Sequence, residues 1–216
     1  MIRKTYLKEI KNQILQQKEG EIYIPSDFAD IANRNAVDKA LSRLTAEGTL
    51  CRIMQGIYER PRYSPFLKEY VVPSPEKVAQ AIARKNGWTI VPWEEIALNI
   101  LGLSTQVPAV YIYASDGPTK KYEYEGKFNK ITLEFRRTPR KDIANMSYKT
   151  ALVIQAQKAR GKDRIDERFI RTVSKKMTQD EMIKALEETK RSTAWIREGF
   201  IKIAMGGTYE GNCNLA

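Results

Sequence analysis

The sequence contains no histidine and only two cysteines among its 216 residues. The absence of histidine excludes Ser–His and Cys–His nucleophile pairs, histidine-ligated zinc and general acid–base catalysis by an imidazole. The cysteines, Cys51 and Cys213, are far apart and form no Cys-x-x-Cys motif, so they predict neither a zinc ribbon nor a redox pair. These absences favour a protein without enzymatic activity, cofactor or bound metal ion.

Long hydrophobic runs are also missing. No stretch approaches the ~20 apolar residues of a transmembrane helix. The first residues, MIRKTYLKEIKNQ, lack the apolar core of a signal peptide. Because two lone cysteines also suit a reducing compartment, we expect a soluble, cytoplasmic protein.

Positive charge is present in excess. The 37 Lys and Arg residues outnumber the 26 Asp and Glu residues, which gives a net charge of +11. A surplus of this size favours a polyanionic partner, either a nucleic acid or an anionic membrane surface. At ~150 residues per domain, the length predicts one large or two small domains, and we distinguish three regions, 1–70, 71–140 and 141–216.

Residues 1–70 show the pattern of a winged helix-turn-helix. Leu7, Ile10 and Ile14 have the spacing of an amphipathic helix, and a short strand at Ile22–Ile24 follows. Ser26 is expected to cap a short helix, and Asn35 to cap a second one that runs to Glu47. Strands at 49–54 and 57–60, joined by a turn at Gln55-Gly56, complete the pattern.

The second helix and the hairpin carry the residues predicted to contact DNA. A polar, partly basic helix face can enter a major groove, while arginines on a wing can reach phosphates or the minor groove. The predicted DNA-binding residues are Arg34, Asn35, Lys39, Ser42, Arg43, Arg52, Arg60 and Arg62. A winged helix that only docks proteins is the alternative, because Asp38 on the same helix would repel phosphate.

The run IYIPSDFADIANRNAVDKALSRLTAEGTLCRIMQGIYERPRY resembles the N-terminal winged helix of AbiEi-type antitoxins, which belong to bacterial type IV toxin–antitoxin (abortive infection) systems. The segments 40–44, 48–50, 52–53 and 55–58 carry the resemblance, which extends more loosely to about residue 140. It implies a DNA-binding repressor of its own promoter, encoded beside a nucleotidyltransferase-like toxin. It further implies that Arg43, Arg52 and Arg60 belong to the basic helix and wing, and that toxin neutralisation requires no stable complex.

Residues 71–140 are predicted to form a small α+β domain after a proline-rich connection. Its alternating tyrosines, Tyr111, Tyr113, Tyr122 and Tyr124, could stack on unpaired bases or pack across strands. Glu94, Glu95 and Asp116 are the carboxylates that a metal-dependent nuclease would need. The first two also suit the first turn of a helix, where acidic side chains favourably meet the dipole, and Ile100 is expected on the buried face of that helix.

Residues 141–216 are predicted to be a basic helical region. The window 136–176 holds 13 Lys and Arg against four acidic residues, a net charge of +9. Such density suits a phosphate backbone or an acidic partner, although charge runs are often only a solvated face. A membrane partner is not expected, because Phe169, Ile170 and Val173 are too few apolar residues for an interfacial helix. The predicted surface comprises Arg160, Lys162, Arg164, Arg168, Arg171, Lys175 and Lys176.

Helical spacing also predicts local features of this region. Phe169, Ile183 and Phe200 are expected on buried faces of successive helices. The spacing Thr178-x-x-Glu181 predicts a capping box, and Gly206 is expected to stop the last helix.

The sequence therefore predicts an α+β protein with an N-terminal winged helix, a small α+β middle domain and a helical C-terminal region. Its predicted function is transcriptional regulation as a DNA-binding repressor and antitoxin, in the form of a homodimer on its own promoter. The alternative is an RNA- or protein-binding module that acts through the basic C-terminal helices, without DNA reading. The basic helices could also supply a second DNA contact, or contact the toxin's acidic surface or the toxin's RNA substrate.

Overall fold

The computed structural model describes residues 5–106, 108–139, 143 and 146–208. The described part is mixed α and β, with eight α-helices and small sheets, which confirms the predicted α+β class. Two compact units make up the chain, one of Met1–Trp88 and Tyr122–Thr132, the other of Thr89–Lys121 and Leu133–Ala216. The three-region division remains a prediction, and Arg140, Lys141 and Cys213 lie outside the described residues.

The first unit alternates helices with short strands. Its elements are α1 (Thr5–Gln16), β1 (Ile22–Tyr23), a 3-10 turn (Pro25–Phe28), α2 (Arg34–Ala46), β2 (Cys51–Met54), β3 (Ile57–Glu59), β4 (Tyr63–Ser64), β5 (Glu69–Tyr70) and α3 (Pro75–Asn86). β1, β3 and β2 form a three-stranded antiparallel sheet with β3 in the middle. The tight turn between β2 and β3 has Gly56 at a φ of 70°, as the predicted hairpin requires.

A hydrophobic core holds α1 and α2 against this sheet. Ile10 and Ile14 of α1 are fully buried and pack with Leu41 and Leu44 of α2. Tyr58 of β3 contributes to the same core, so the sheet closes one side of the helix pair. Burying a side chain of this size stabilises the fold by about 1.5–3 kcal/mol. The apolar stripes predicted for both helices are confirmed.

Helix α3 reaches back to the sheet through three basic side chains. Lys77 Nζ donates to the Gly20 carbonyl at 3.0 Å and to Glu21 at 2.6 Å. Arg84 Nη2 donates to the Ile22 carbonyl at 3.1 Å, and Lys85 Nζ to the Gln55 carbonyl at 2.7 Å. These bonds hold α3 over the sheet edge formed by β1 and over the hairpin turn.

Two predicted helix caps are wrong. The Asn33 side chain, rather than that of Asn35, accepts the Ala36 N–H at 3.0 Å, so α2 begins at Arg34. At the 3-10 turn, Pro25 occupies the first helical position because its φ is already fixed near the helical value. The cap therefore moves from the predicted Ser26 to the residue before the proline.

The second unit joins part of a four-stranded sheet to a group of helices. Its elements are β6 (Ile90–Pro92), α4 (Glu94–Ile100), β7 (Tyr111–Ser115), β8 (Lys120–Glu125, in part), β9 (Lys130–Arg137, in part), α5 (Tyr148–Arg160), α6 (Glu167–Ser174), α7 (Gln179–Glu188) and α8 (Ala194–Thr208). The strand order is β6-β7-β9-β8, with β6 antiparallel and β9 parallel to β7.

Helix α5 is the centre of the helical group, because every residue from 150 to 157 is buried. Phe169 of α6 and Phe200 of α8 pack in the same core and are fully buried, as their spacing predicts. The predicted capping box of α7 is confirmed, with Thr178 and Glu181 each bonded to the other's backbone. None of the described helices combines the length and apolar content needed to cross a bilayer.

Three local predictions for the second unit are wrong. Ile100 and Ile183, expected in the core, are 42% and 56% exposed. Gly206 does not stop α8, which continues to Thr208. A Cβ on Gly206 would lie 2.5 Å from Ile170 Cγ2, so the glycine allows α6 and α8 to approach closely.

Candidate nucleic-acid interface

Helix α2 has one buried and one exposed face. Val37, Ala40, Leu41 and Leu44 are at most 2% exposed. All of the helix residues predicted to contact DNA lie exposed: Arg34, Asn35, Lys39, Ser42 and Arg43. The 3.6-residue period separates the two sets, because apolar positions three and four residues apart share one face. The exposed face therefore offers amide, hydroxyl and cationic groups on a rigid helix.

Two arginines of this face have acidic partners on the same helix or at its end. Arg34 Nε lies 2.9 Å from Asp38, and Arg43 Nε lies 3.0 Å from Glu47. Lys11 of α1 contacts the same Glu47 at 3.1 Å, and hydrogen bonds from Lys11 and Arg43 lower the pKa of that carboxyl. Exposed pairs of this kind are weak, so a phosphate could replace either carboxylate.

Lys39 differs from the two arginines, because it has no ion-pair partner among the residues that the structure describes. Its exposed position in the middle of α2 places a solvated ammonium between the two arginine–carboxylate pairs. We take Lys39 as the cation of this face that is most readily available to a phosphate.

The hairpin contributes fewer cations than its sequence suggests. Arg52 on β2 is exposed and stands opposite Tyr58 of β3, and Arg62 beyond the hairpin is also exposed. Arg60 has another role: its Nη1 donates to the carbonyls of Leu15, at 3.0 Å, and of Gln17, at the end of α1. A guanidinium at a helix C-terminus satisfies carbonyls that have no partner within the helix.

Sequence reasoning missed a cation at the hairpin turn. Lys85 of α3 is exposed, and its Nζ bonds to the Gln55 carbonyl at 2.7 Å. Its charge therefore lies at the tip of the β2–β3 hairpin, although the residue is distant in sequence. The available signal was the helical period of α3, which places Lys85 on a solvent-facing position near its C-terminus.

The basic residues of the second unit do not form one uniform surface. Arg168, Arg171 and Lys175 follow the i, i+3, i+7 spacing of one helix face and are exposed. Lys162 and Arg164 are exposed on the 3-10 turn before α6. In contrast, Lys176 Nζ lies 3.4 Å from the Ile100 carbonyl, and the Arg160 Nε is buried without a hydrogen-bond partner among the described residues.

Two of the tyrosines and one of the carboxylates predicted in the middle region have structural partners. Tyr113 is fully buried and its ring stacks on Phe135 at 5.8 Å between centroids. Tyr124, 4% exposed, donates to the Pro73 carbonyl at 2.9 Å. Both contacts favour packing over base stacking. The Asp116 carboxylate accepts the Thr89 N–H at 2.8 Å, and the described residues contain no group of three acidic or cysteine side chains suited to a metal ion.

Comparison with known proteins yields a family and no relative of known function. A search of curated proteins and a search of solved structures each found no match. The family model of DUF6088, described as a family of unknown function, matches residues 9–186. Since this match spans far more than half of the sequence, the chain belongs to the DUF6088 family.

Proposed function

We propose that the protein is a DNA-binding transcriptional regulator whose N-terminal part is a winged helix. In this interpretation α2 is the recognition helix, α1 and the 3-10 turn brace it, and the β2–β3 hairpin is the wing. The order of helices and strands in the first unit is consistent with that assignment. Within the sheet, β2 and β3 are antiparallel neighbours joined by a tight turn, which supports their assignment as the wing.

The observation that carries the proposal is the division of α2 into two faces. Four apolar side chains anchor the helix in its core, and the opposite face leaves Asn35, Lys39 and Ser42 exposed. Asn and Ser side chains can hydrogen-bond to base edges, and lysine can contact phosphate or guanine. Arg34, Arg43 and Arg52 add charge beside them, with Lys85 at the wing tip. Arg60 is not among the proposed DNA contacts, because its guanidinium caps the C-terminal end of α1.

The more specific proposal is that the regulator is the antitoxin of a type IV toxin–antitoxin system and represses its own promoter, without enzymatic activity of its own. The resemblance of residues 22–63 to AbiEi-type antitoxins supports this proposal. The partners would be double-stranded DNA and a nucleotidyltransferase-like toxin encoded next to the gene, in the cytoplasm. A homodimer would match a palindromic operator, because a two-fold protein axis reads two half-sites.

Footprinting on the DNA upstream of the gene tests DNA binding directly. The full chain should protect a defined segment and should prefer it over a shuffled sequence of equal length and composition. The affinity of a DNA-binding protein for its specific site is typically about 10³-fold or more higher than its affinity for non-specific DNA. Equal affinity for both sequences, with no protected segment, would refute sequence-specific regulation.

Co-expression tests the antitoxin role separately. If the adjacent reading frame encodes a nucleotidyltransferase-like protein, its expression alone should arrest growth, and expression of this chain should restore it. A variant with Lys39→Ala and Arg43→Ala should still restore growth when transcribed from an unrelated promoter, because repression is then not required. Absence of rescue by the wild-type chain would contradict the antitoxin role and leave DNA binding to be judged by the footprint.

The second candidate function is binding of RNA or an acidic protein through α6. The exposed row of Arg168, Arg171 and Lys175 favours it, since three cations on one helix face suit a phosphate backbone. Charge reversal at Arg168 and Arg171 in the full chain should abolish binding to RNA and leave the DNA footprint unchanged. If the same variant instead loses the footprint, α6 is part of the DNA interface.

A further inference from the structure

The first unit contains a cavity of about 520 Å³ between the hairpin, the segment after β5 and β8. Cavities of about 300–1,000 Å³ are typical of sites for small molecules. Most of its wall is apolar, with Leu50, Val71, Val72 and Pro73 among the lining residues. All of these residues belong to the same compact unit.

One buried carboxylate faces this cavity. Glu59 is 5% exposed and lines the cavity from the central strand β3. Strand alternation explains its direction, because the preceding Tyr58 points into the α1–α2 core and Glu59 therefore points to the opposite face of the sheet. The backbone of Glu59 pairs with β1 and β2 in the sheet, but its carboxylate forms no hydrogen bond or ion pair with any residue in the described part of the chain.

The electrostatic surroundings of Glu59 leave its charge poorly compensated. Burial raises the pKa of its carboxyl to about 7, although Arg62 and Lys77 act in the opposite direction. Lys77 is already paired with Glu21 at 2.6 Å, and Arg62 is exposed to solvent. A buried carboxylate without a partner is costly, and a partner in direct contact stabilises it far more than distant charges do.

We propose that this cavity binds a small organic cation, a primary amine or guanidinium on an apolar body, with Glu59 as its counter-ion. The apolar wall would bury the body of the ligand, and Glu59 would accept charge-assisted hydrogen bonds from its head. One other acidic side chain, the exposed Glu125, lines the cavity, and the described residues contain no group of three potential metal ligands. The site therefore suits an organic cation better than a metal ion, which takes several oxygen ligands.

Several other ionisable groups lie near Glu59. Arg52, Cys51, Glu125, Tyr70 and Tyr124 also line the cavity. Arg62, Lys77 and Glu19 face Glu59 across a smaller adjoining cavity of about 80 Å³. Of these groups, only Glu59 combines deep burial with a carboxylate that has no bonded partner in the described structure. The charge of Arg52 is exposed, so water screens its repulsion of a cationic ligand.

Titration calorimetry with phenethylamine, on the full chain and without DNA, tests the proposal. The amine should bind, and 2-phenylethanol, which has the same body and no charge, should bind at least about tenfold more weakly, as expected for a charge-assisted hydrogen bond. Glu59→Gln should reduce the amine affinity by a similar factor, whereas Glu47→Gln, an exposed acid outside the cavity, should leave it unchanged. Equal effects of both substitutions, equal affinity for amine and alcohol, or no amine binding would overturn the proposal.

Proton release provides a measurement that requires no variant. Near pH 7 the Glu59 carboxyl is about half protonated, so binding of a cation should release about half a proton per ligand. Calorimetry in two buffers with different ionisation enthalpies measures this number. Affinity should also rise about tenfold between about pH 6 and about pH 8 as the carboxylate forms. Proton uptake, or an affinity that does not change with pH, would contradict the role of Glu59 whatever the outcome of the DNA footprint.

Discussion

Removing two cations from the exposed face of α2 should reduce the salt dependence of DNA binding by a calculable amount. Each phosphate contact contributes about −0.9 to the slope of log K against log salt concentration. If Lys39 and Arg43 each contact a phosphate, the variant Lys39→Ala/Arg43→Ala should lower the magnitude of this slope by about 1.8. Between about 50 and about 200 mM salt, the wild-type chain should then lose about 12-fold more affinity than the variant loses.

Fluorescence anisotropy with the footprinted DNA, at several salt concentrations, measures this slope. The variant should remain folded, because both side chains are exposed and alanine has the highest helix propensity. The matched control is Lys8→Ala/Lys18→Ala, which removes the same charge from exposed positions outside α2 and the hairpin. An unchanged slope for the α2 variant, or an equal decrease for the control, would refute the assignment of these two residues.

Asp38 supplies a test with the opposite sign. Its carboxylate lies 2.9 Å from Arg34 Nε and therefore competes with a phosphate for that guanidinium. The negative charge of Asp38 also repels the phosphate directly. Asp38→Asn should therefore raise DNA affinity by a few-fold, and the gain should shrink at high salt. A decrease in affinity would show that the Arg34–Asp38 pair positions the arginine for binding rather than competing with it.

The remaining predictions concern stability and are measured by chemical denaturation. Arg60→Ala should lower the free energy of unfolding by about 1–2 kcal/mol because the end of α1 loses its capping guanidinium, whereas Arg62→Ala should change it little. The pKa of the Glu59 carboxyl is about 7 in the folded state and near 4.5 in the unfolded chain. The free energy of unfolding should therefore fall as the pH rises between these two values, by at most about 3 kcal/mol. Glu59→Gln should abolish this pH dependence. Gln155→Leu should stabilise the protein by about 1–3 kcal/mol, because both amide atoms of Gln155 are buried without a partner in the described structure. An unchanged midpoint for Arg60→Ala, stability that rises with pH, or destabilisation by Gln155→Leu would contradict the respective argument.

Periodicity predicted most of the elements because it reflects which side chains the core must bury. The stripe of α1, the two faces of α2 and the hairpin around Gly56 follow from spacing and turn chemistry alone. The capping box at Thr178 and Glu181 was equally local and was predicted correctly. Such features need no knowledge of distant contacts.

The sequence does not reveal the role of a residue where a distant partner decides it. Arg60 has the sequence context of a wing cation, and nothing in that context indicates that its guanidinium also binds carbonyls at the end of α1. Gly206 has the context of a helix stop, yet it is required by the approach of Ile170. No sequence motif indicates a functional role for Glu59 or Lys85, because the cavity and the hairpin tip are formed by residues that only the fold brings together.

The first unit has a consequence for synthesis on the ribosome because it is discontinuous along the chain. Residues 122–132 belong to it together with 1–88. Within it, Tyr124 binds the Pro73 carbonyl and Lys127 binds Glu69 at 2.7 Å. The nascent N-terminal segment must therefore wait for 33 intervening residues, 89–121, to be translated before its last structural partners emerge from the exit tunnel.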